Sequence, residues 1–195
     1  MQSHHIPQAV ALQRFAFPPP FDESLLWQPE HLTKHLELLP SAQWVAVEDD
    51  RVVATCSNTL IREEHFVGRK SWDEKVGGYF LSTFDIQGST LYGLDISVHP
   101  QFQGKGIGRA LYEARFDWVR INGARRYGTS CRIPDFAASG LANPTEYVHE
   151  VAQGIRTDRT LTPLMKYGMK ILDVLPDHMD DEESRNNAVL LEWLP

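Results

Sequence analysis

The sequence predicts an α/β protein of the α+β kind, a single domain over residues 1–195, and three observations carry that reading. Residues 91–123 read as strand, glycine-rich loop and helix in succession. Residues 44–60 read as two strand runs meeting at Asp49-Asp50, a hairpin pattern. Helical patterns near the N-terminus and two strand runs near the C-terminus supply the rest of a sheet flanked by helices.

In chain order, residues 6–17 carry apolar positions compatible with a short helix, stopped by Pro18-Pro19-Pro20. Pro29 begins a second helix over residues 30–39, with Leu32, Leu36 and Leu39 on one side and Pro40 beyond. Val45 and Val47 alternate against Ala46 in the first strand of the hairpin. Residues 61–90 follow no single period and mix charges, aromatics and glycines. A connection of that length inside one domain is usually functional. It reads either as a surface loop with aromatics tucked into the core, or as a lid with Trp72 and Phe84 as walls and His65 or Asp85 as polar contacts.

The strand that follows places Leu94, Ile96 and Val98 on one face and Gly93, Asp95 and Ser97 on the other, and Pro100 ends it. Ile107, Leu111, Ala114, Trp118 and Ile121 then recur at steps of four and three, the stripe of an amphipathic helix closed by Asn122-Gly123. Residues 126–133 read as the next strand, ended by Pro134. Asn143-Pro144-Thr145-Glu146 is a helix start with Tyr147, Val148, Val151 and Ile155 as its apolar face, giving a helix near 144–154. A short helix over 158–167 breaks at Gly168. Residues 170–175 and 187–194 read as strands on either side of an acidic loop taken as solvated.

The loop Gln103-Gly104-Lys105-Gly106-Ile107-Gly108 is the chemical clue. It sits where a helix begins, so backbone N–H groups there lack intrahelical partners. Glycines let a phosphate approach the backbone, the helix dipole favours an anion, and Lys105 and Arg109 add charge. A pyrophosphate site follows. A phosphate-binding P-loop needs Gly, four residues, then Gly-Lys-Ser/Thr, which is absent; a dinucleotide fingerprint starting at Gly104 would need glycine where Arg109 stands.

Composition narrows the partners. A formal net charge of −7 argues against nucleic acid, and the arginines at 109, 115, 120, 125 and 126 read as a solvated helix face. No apolar run approaches the roughly 20 residues that span a bilayer, so no membrane partner is expected. The N-terminal residues lack the pattern of a secretory signal, and a cytoplasmic location is expected. Cys56 and Cys131 read as small buried strand residues, with no metal-ligand spacing beside them.

The run Val98-His99-Pro100-Gln101-Phe102-Gln103-Gly104-Lys105-Gly106-Ile107-Gly108 fits V-x-P-x-x-Q-G-x-G-x-G and resembles motif A of the GNAT superfamily of acyl-CoA-dependent N-acyltransferases. The segments RIPDF, LTPLMKYGM and VLPDHMDDEESRNNAVLLEW, with the helix that starts at Asn143, are similar to a bacterial subgroup whose members are sometimes fused to nitrilase-like carbon–nitrogen hydrolases. The resemblance implies a GNAT fold: a central mixed, mostly antiparallel twisted sheet of about six or seven strands flanked by helices, with the helix near 144–154 as an insertion. The family's first strand is either missing or formed by residues 1–6. The strand over 126–133 is expected to splay from the motif A strand.

The same resemblance implies acetyl-CoA as co-substrate and no metal. Its pyrophosphate would lie on Gln103, Gly104, Lys105, Gly106, Ile107 and Gly108 beside Arg109, with a backbone N–H among Ile96, Ser97 and Val98 meeting the oxyanion. Asp95 is the candidate general base, against a structural carboxylate as the competing reading. Many members place a tyrosine four residues before the glycine that ends the later helix; here Leu164 stands four before Gly168, and Tyr167 is expected to point elsewhere. The implied activity is N-acetyl transfer to a primary amine of a small-molecule or peptide acceptor by direct attack in a ternary complex, with a homodimer permitted. The rival readings are a catalytically weak acyl-CoA-binding regulatory module and a nucleotide-phosphate binder.

Overall fold

Prolines and turn chemistry set the element boundaries in the computed structural model, which describes residues 1–19 and 21–195. Helices α1 (Ile6–Ala16) and α2 (Pro29–Leu38) each carry a proline in the first turn, where its missing N–H costs nothing. Strands β1 (Trp44–Glu48) and β2 (Arg51–Ile61) turn through Asp49 and Asp50, both at positive φ, the two-residue connection whose twist suits a hairpin. Two short helices follow, α3 (Glu63–Phe66) and α4 (Trp72–Val76), then β3 (Thr90–Val98), α5 (Ile107–Asn122) and β4 (Arg126–Arg132). Helices α6 (Pro144–Ala152) and α7 (Leu161–Lys166) precede β5 (Lys170–Leu175) and β6 (Ala188–Trp193). Among the described residues no helix is long and apolar enough to cross a membrane.

The six strands form one sheet in the order β1-β2-β3-β4-β6-β5, antiparallel throughout except for the parallel pair β3–β4. No strand precedes α1 among the described residues. Residues 3–5 make a single tight helical turn that runs into α1, so residues 1–6 do not form the family's first strand. The main core joins Tyr112, Phe116 and Val119 of α5, Tyr147 and Val151 of α6 and Leu161 and Leu164 of α7 to the sheet residues Leu91, Tyr127 and Leu191. A smaller cluster gathers Ile6 and Ala9 of α1, Leu32 of α2 and Trp27.

Two sequence expectations fail here for one reason. Strand β3 contains a one-residue bulge: Ser57 pairs with Asp95 and Asn58 with Gly93, leaving Leu94 unopposed. An extra residue resets the alternation of faces. Leu94 therefore packs against the cluster of Ile6, Ala9, Trp27 and Leu32, while Ile96 and Val98 pack with Ile107 against the cluster that holds Leu111 of α5. The three do not share a face. Helix α5 is rotated to match. Its buried residues are Leu111, Tyr112, Arg115, Phe116 and Val119, and Ile121 of the expected stripe is 82% exposed.

Arg115 explains both departures. It is 1% exposed, not part of a solvated face, and reaches from α5 to the bulge. Its Nε donates to Asn58 Oδ1 (2.8 Å), and its Nη2 donates to Asp95 O (2.6 Å) and Ser57 O (3.3 Å). The guanidinium lies 4.8 Å from the Tyr112 ring centroid and 5.2 Å from that of Tyr127. Arg126, counted with the same face, is also buried and pairs with Glu63 (2.7 Å) and Glu192 (3.1 Å).

Replacing Arg115 by Met should leave three buried acceptors unpaired and lower unfolding stability by about 3 kcal/mol or more. Arg115→Lys should recover little of it, because one ammonium cannot reproduce the planar fork. Urea unfolding of the two variants checks this.

Candidate active site

Strands β3 and β4 pair only from Thr90 and Arg126 to Gly93 and Thr129, and beyond that point they part. The close half is kept by glycine: a Cβ on Gly93 would lie 2.0 Å from the Tyr127 hydroxyl, and one on Gly128 2.4 Å from the Phe66 ring. The open half exposes backbone. His99 N–H donates to Val53 O, so by antiparallel alternation Ser97 N–H turns toward β2 while Ile96 and Val98 turn theirs into the gap. Gln103 Nε2 donates to Val98 O (3.2 Å) from that same side.

A cavity of about 1380 Å³ runs through the gap. At one end are Gly104, Gly106, Gly108 and Arg109 at the start of α5; Tyr112, Leu164 and Tyr167 flank the middle; Trp27, Trp72, Tyr79 and His178 line the other end. Of the residues expected to hold a pyrophosphate, Gln103, Gly104, Gly106, Ile107, Gly108 and Arg109 line it. Lys105 does not, and its ammonium sits 4.5 Å from the Phe102 ring centroid. Ile96 and Val98 line the cavity; Ser97 instead donates to Asp95 Oδ2 (3.1 Å).

The glycines of the loop have different reasons. Gly104 and Gly106 take φ of 75° and 83°, a conformation other residues enter at a cost. Gly108 is helical, and nothing lies within 4 Å of where its Cβ would be. The fold does not need glycine there, whereas an anion pressed against the start of α5 does. The residues present therefore fit a pyrophosphate.

Asp95 lines the same cavity, and its Oδ1 is buried with no hydrogen-bond partner. Burial pushes its carboxyl pKa up, opposed by the Arg115 charge, the Ser97 hydroxyl and the nearby Trp27 indole. His178 was not foreseen in the sequence. It is 1% exposed and lines the cavity, and its Nδ1 donates to Lys70 O (2.7 Å). That bond fixes the tautomer, so Nε2 carries a lone pair and has no partner. Burial, with Lys75 nearby, pushes the His178 pKa down to about 4.

The comparisons with known proteins agree with this geometry. Residues 6–142 match the model of the acetyltransferase (GNAT) family. The chain belongs to that family. It is an acyl-CoA-dependent N-acyltransferase by membership. It is 28% identical to the uncharacterized N-acetyltransferase YkwB of Bacillus subtilis, over 96% of this chain and 84% of YkwB. It is also 28% identical to the probable hydrolase YhcX of the same organism, over 99% of this chain but only 37% of YhcX. Among solved structures, the GNAT-like decarboxylase GphF in complex with isobutyryl-CoA superposes with a TM-score of 0.84 at 20% identity, over 100% of this chain and 96% of GphF.

Within this GNAT fold, several expected placements change. Trp72 lines the cavity, but Phe84 packs into the core, Asp85 pairs with Arg62 (2.5 Å) and His65 lies away from the cavity. Tyr167 was expected to point elsewhere; it lines the cavity with its ring 5.4 Å from that of Tyr112. The acidic loop is not merely solvated. Asp181 takes both Arg132 and the Ser184 hydroxyl, and Asp177, Asp180 and Glu183 line the cavity. Cys56 and Cys131 are buried as expected, and burial pushes both thiols up.

Two buried histidines predict an acid-side loss of stability. His35 donates from Nε2 to Tyr79 O (2.9 Å), and its pKa, like that of His178, is pushed down to about 4, chiefly by burial. Unfolded histidines take up protons near 6.5 and these two resist until about 4, so stability should fall as pH drops through that window, by up to about 3 kcal/mol for each. A pH series of urea unfolding should show a shallower fall in His178→Asn than in the parent.

Proposed function

We propose that this GNAT domain transfers an acyl group, acetyl in the simplest case, from coenzyme A to a primary amine bound at the Trp27–Trp72–Tyr79 end of the cavity. The observation that carries the reading is the meeting of three features in one cavity: the glycine loop at the start of α5, the inward N–H groups of Ile96 and Val98, and the half-buried Asp95. The pyrophosphate rests on Gly104, Gly106 and Gly108 beside Arg109. The pantetheine arm lies in the gap between β3 and β4, bringing the thioester carbonyl to the N–H groups of Ile96 and Val98.

The amine nitrogen attacks the carbonyl carbon, and the carbonyl oxygen gains charge that those N–H groups stabilise. Asp95 takes the proton the nitrogen sheds, directly or through water. A carboxylate whose pKa is raised by burial is a stronger base than an exposed one, which suits the task. The carbon–sulfur bond then breaks, and the thiolate is protonated by solvent or by Tyr167, which replaces the absent tyrosine at position 164 as the hydroxyl in the cavity.

The likeness to GphF raises decarboxylation as a second reading. An acyl group bearing a carboxylate needs a cation to meet it. The two arginines at that end are already committed: Arg132 to Asp181 (2.6 Å) and Glu183 (2.7 Å), Arg159 to Asp135 (3.0 Å) and Glu183. Amine acylation is the reading the charges favour.

Gly108→Ala separates ligand from fold. Its melting temperature should hold or rise, since Ala is the better helix former by about 1 kcal/mol, while acetyl-CoA affinity by calorimetry should drop about tenfold or more. Asp95→Asn should bind acetyl-CoA normally yet lose about 100-fold or more in kcat with the best of a primary-amine panel. The parent's acid limb of kcat/KM should lie above the ordinary carboxylate range and vanish in the variant. Unchanged rates in Asp95→Asn would assign the proton transfer to another group.

A further inference from the structure

We infer that the acceptor is an aliphatic diamine or polyamine, with one nitrogen at Asp95 and a second, protonated nitrogen in the aromatic recess beside His178. This names a substrate class for the amine site proposed above and rests on that reading.

Three independent features of the recess point the same way. The first is its wall. The rings of Trp27, Trp72 and Tyr79 stand 5.7 to 5.9 Å apart centroid to centroid and all line the cavity. Aromatic faces attract an organic cation placed within about 6 Å of the centroid, more strongly when water is excluded. The faces of the same rings repel an anion.

The second is the sign of the charge. Asp73, Asp177 and Asp180 line this end and enter no ion pair among the described residues. Tyr79 lies among these charges. Its hydroxyl pKa is pushed up first by burial and then by Asp73, Asp180 and Asp22. The arginines at this end, Arg132 and Arg159, are neutralised by Asp135, Asp181 and Glu183, and the Lys75 ammonium near His178 is buried on Phe66 O and Gly68 O, outside the cavity lining. A cleft with one sign of unpaired charge concentrates ligands of the other.

The third is the polarity of the unfilled hydrogen bonds. Among the described residues, two buried side-chain atoms on the cavity lining lack partners, Asp95 Oδ1 and His178 Nε2. Both accept. His178 cannot be a donor at Nε2, because Lys70 O already holds the proton on Nδ1. The ligand that completes the site therefore donates at two separated points. Leu94 and Trp27 line the same cavity and belong to one apolar cluster, which asks for an apolar spacer. Two amino groups joined by methylenes have that pattern. A monoamine fills one point, and an amino alcohol brings no second charge.

The test is a thiol-release assay on the full chain with acetyl-CoA against butylamine, aminobutanol, putrescine and spermidine, with acetyl-CoA binding measured separately by calorimetry. Putrescine or spermidine should exceed butylamine and aminobutanol in kcat/KM by about tenfold or more, chiefly through KM, and the advantage should shrink as salt rises. Trp72→Ala and Asp180→Asn should each reduce the diamine-to-monoamine ratio by about fivefold or more. Asp180 is exposed, so its variant should melt like the parent and keep the comparison interpretable. Equal kcat/KM for butylamine and putrescine would overturn the inference and leave amine acylation standing. Acetyl-CoA binding without thiol release from any amine would overturn both. Preference for a peptide amine over every diamine would place the recess on a polypeptide and overturn the inference alone.

Discussion

The geometry of the site depends on one buried cation. Arg115 binds across the β3 bulge, satisfying the carbonyls of Ser57 and Asp95 and the side chain of Asn58. Without the bulge the strict alternation of β3 would carry Ile96 and Val98 away from α5, and the glycine loop would start its helix against the wrong face. With it, one strand presents Leu94 to the aromatic recess and Ile96 to the helix two residues later. The same guanidinium supplies the positive charge nearest to Asp95, so the residue that fixes the strand also limits how far burial raises that carboxyl.

The sheet converts this local irregularity into a channel. Among the described residues β3 and β4 are the only parallel neighbours in the sheet, and their pairing ends after four residues. Gly93 and Gly128 sit in the last two pairs, where Tyr127 and Phe66 press in so closely that no Cβ fits. Past them the strands separate, and β3 keeps N–H groups that no strand receives. An exposed row of unpaired backbone is ordinarily a liability. Here it lies inside a cavity, where a polar ligand can complete it.

Much of the fold was legible because periodicity and turn chemistry report on local backbone. The hairpin at Asp49-Asp50, the strand–glycine loop–helix unit and the capped helix at Asn143 all appear near their expected bounds. The face of α5 was misread because Arg115 counts as polar in any apolar pattern, yet it is among the most deeply buried side chains. The bulge was illegible, since one extra residue in β3 is visible only against its partner β2. His178 lay in a run of acids that looked like a solvated loop. Its role depends on Lys70 O, more than a hundred residues away in sequence, and no spacing rule spans such a distance. Helical phase points Tyr167 away from position 164, but α7 ends at Lys166 and Tyr167 escapes that phase.

The acidic loop shows how structure and cavity charge are set by one segment. Asp181 and Glu183 draw Arg132 and Arg159 into ion pairs that tie the loop to β4 and to the turn before α7. Such half-buried pairs contribute modestly to stability after desolvation. Their larger consequence is subtraction. They remove the positive charge from one end of the cavity and leave Asp73, Asp177 and Asp180 uncompensated. Were the loop's carboxylates lost, Arg132 would face the cavity free while Arg159 kept Asp135, and the charge at that end would turn less negative. Carboxylates placed outside the reacting centre thus set the balance of charge at that end of the cavity.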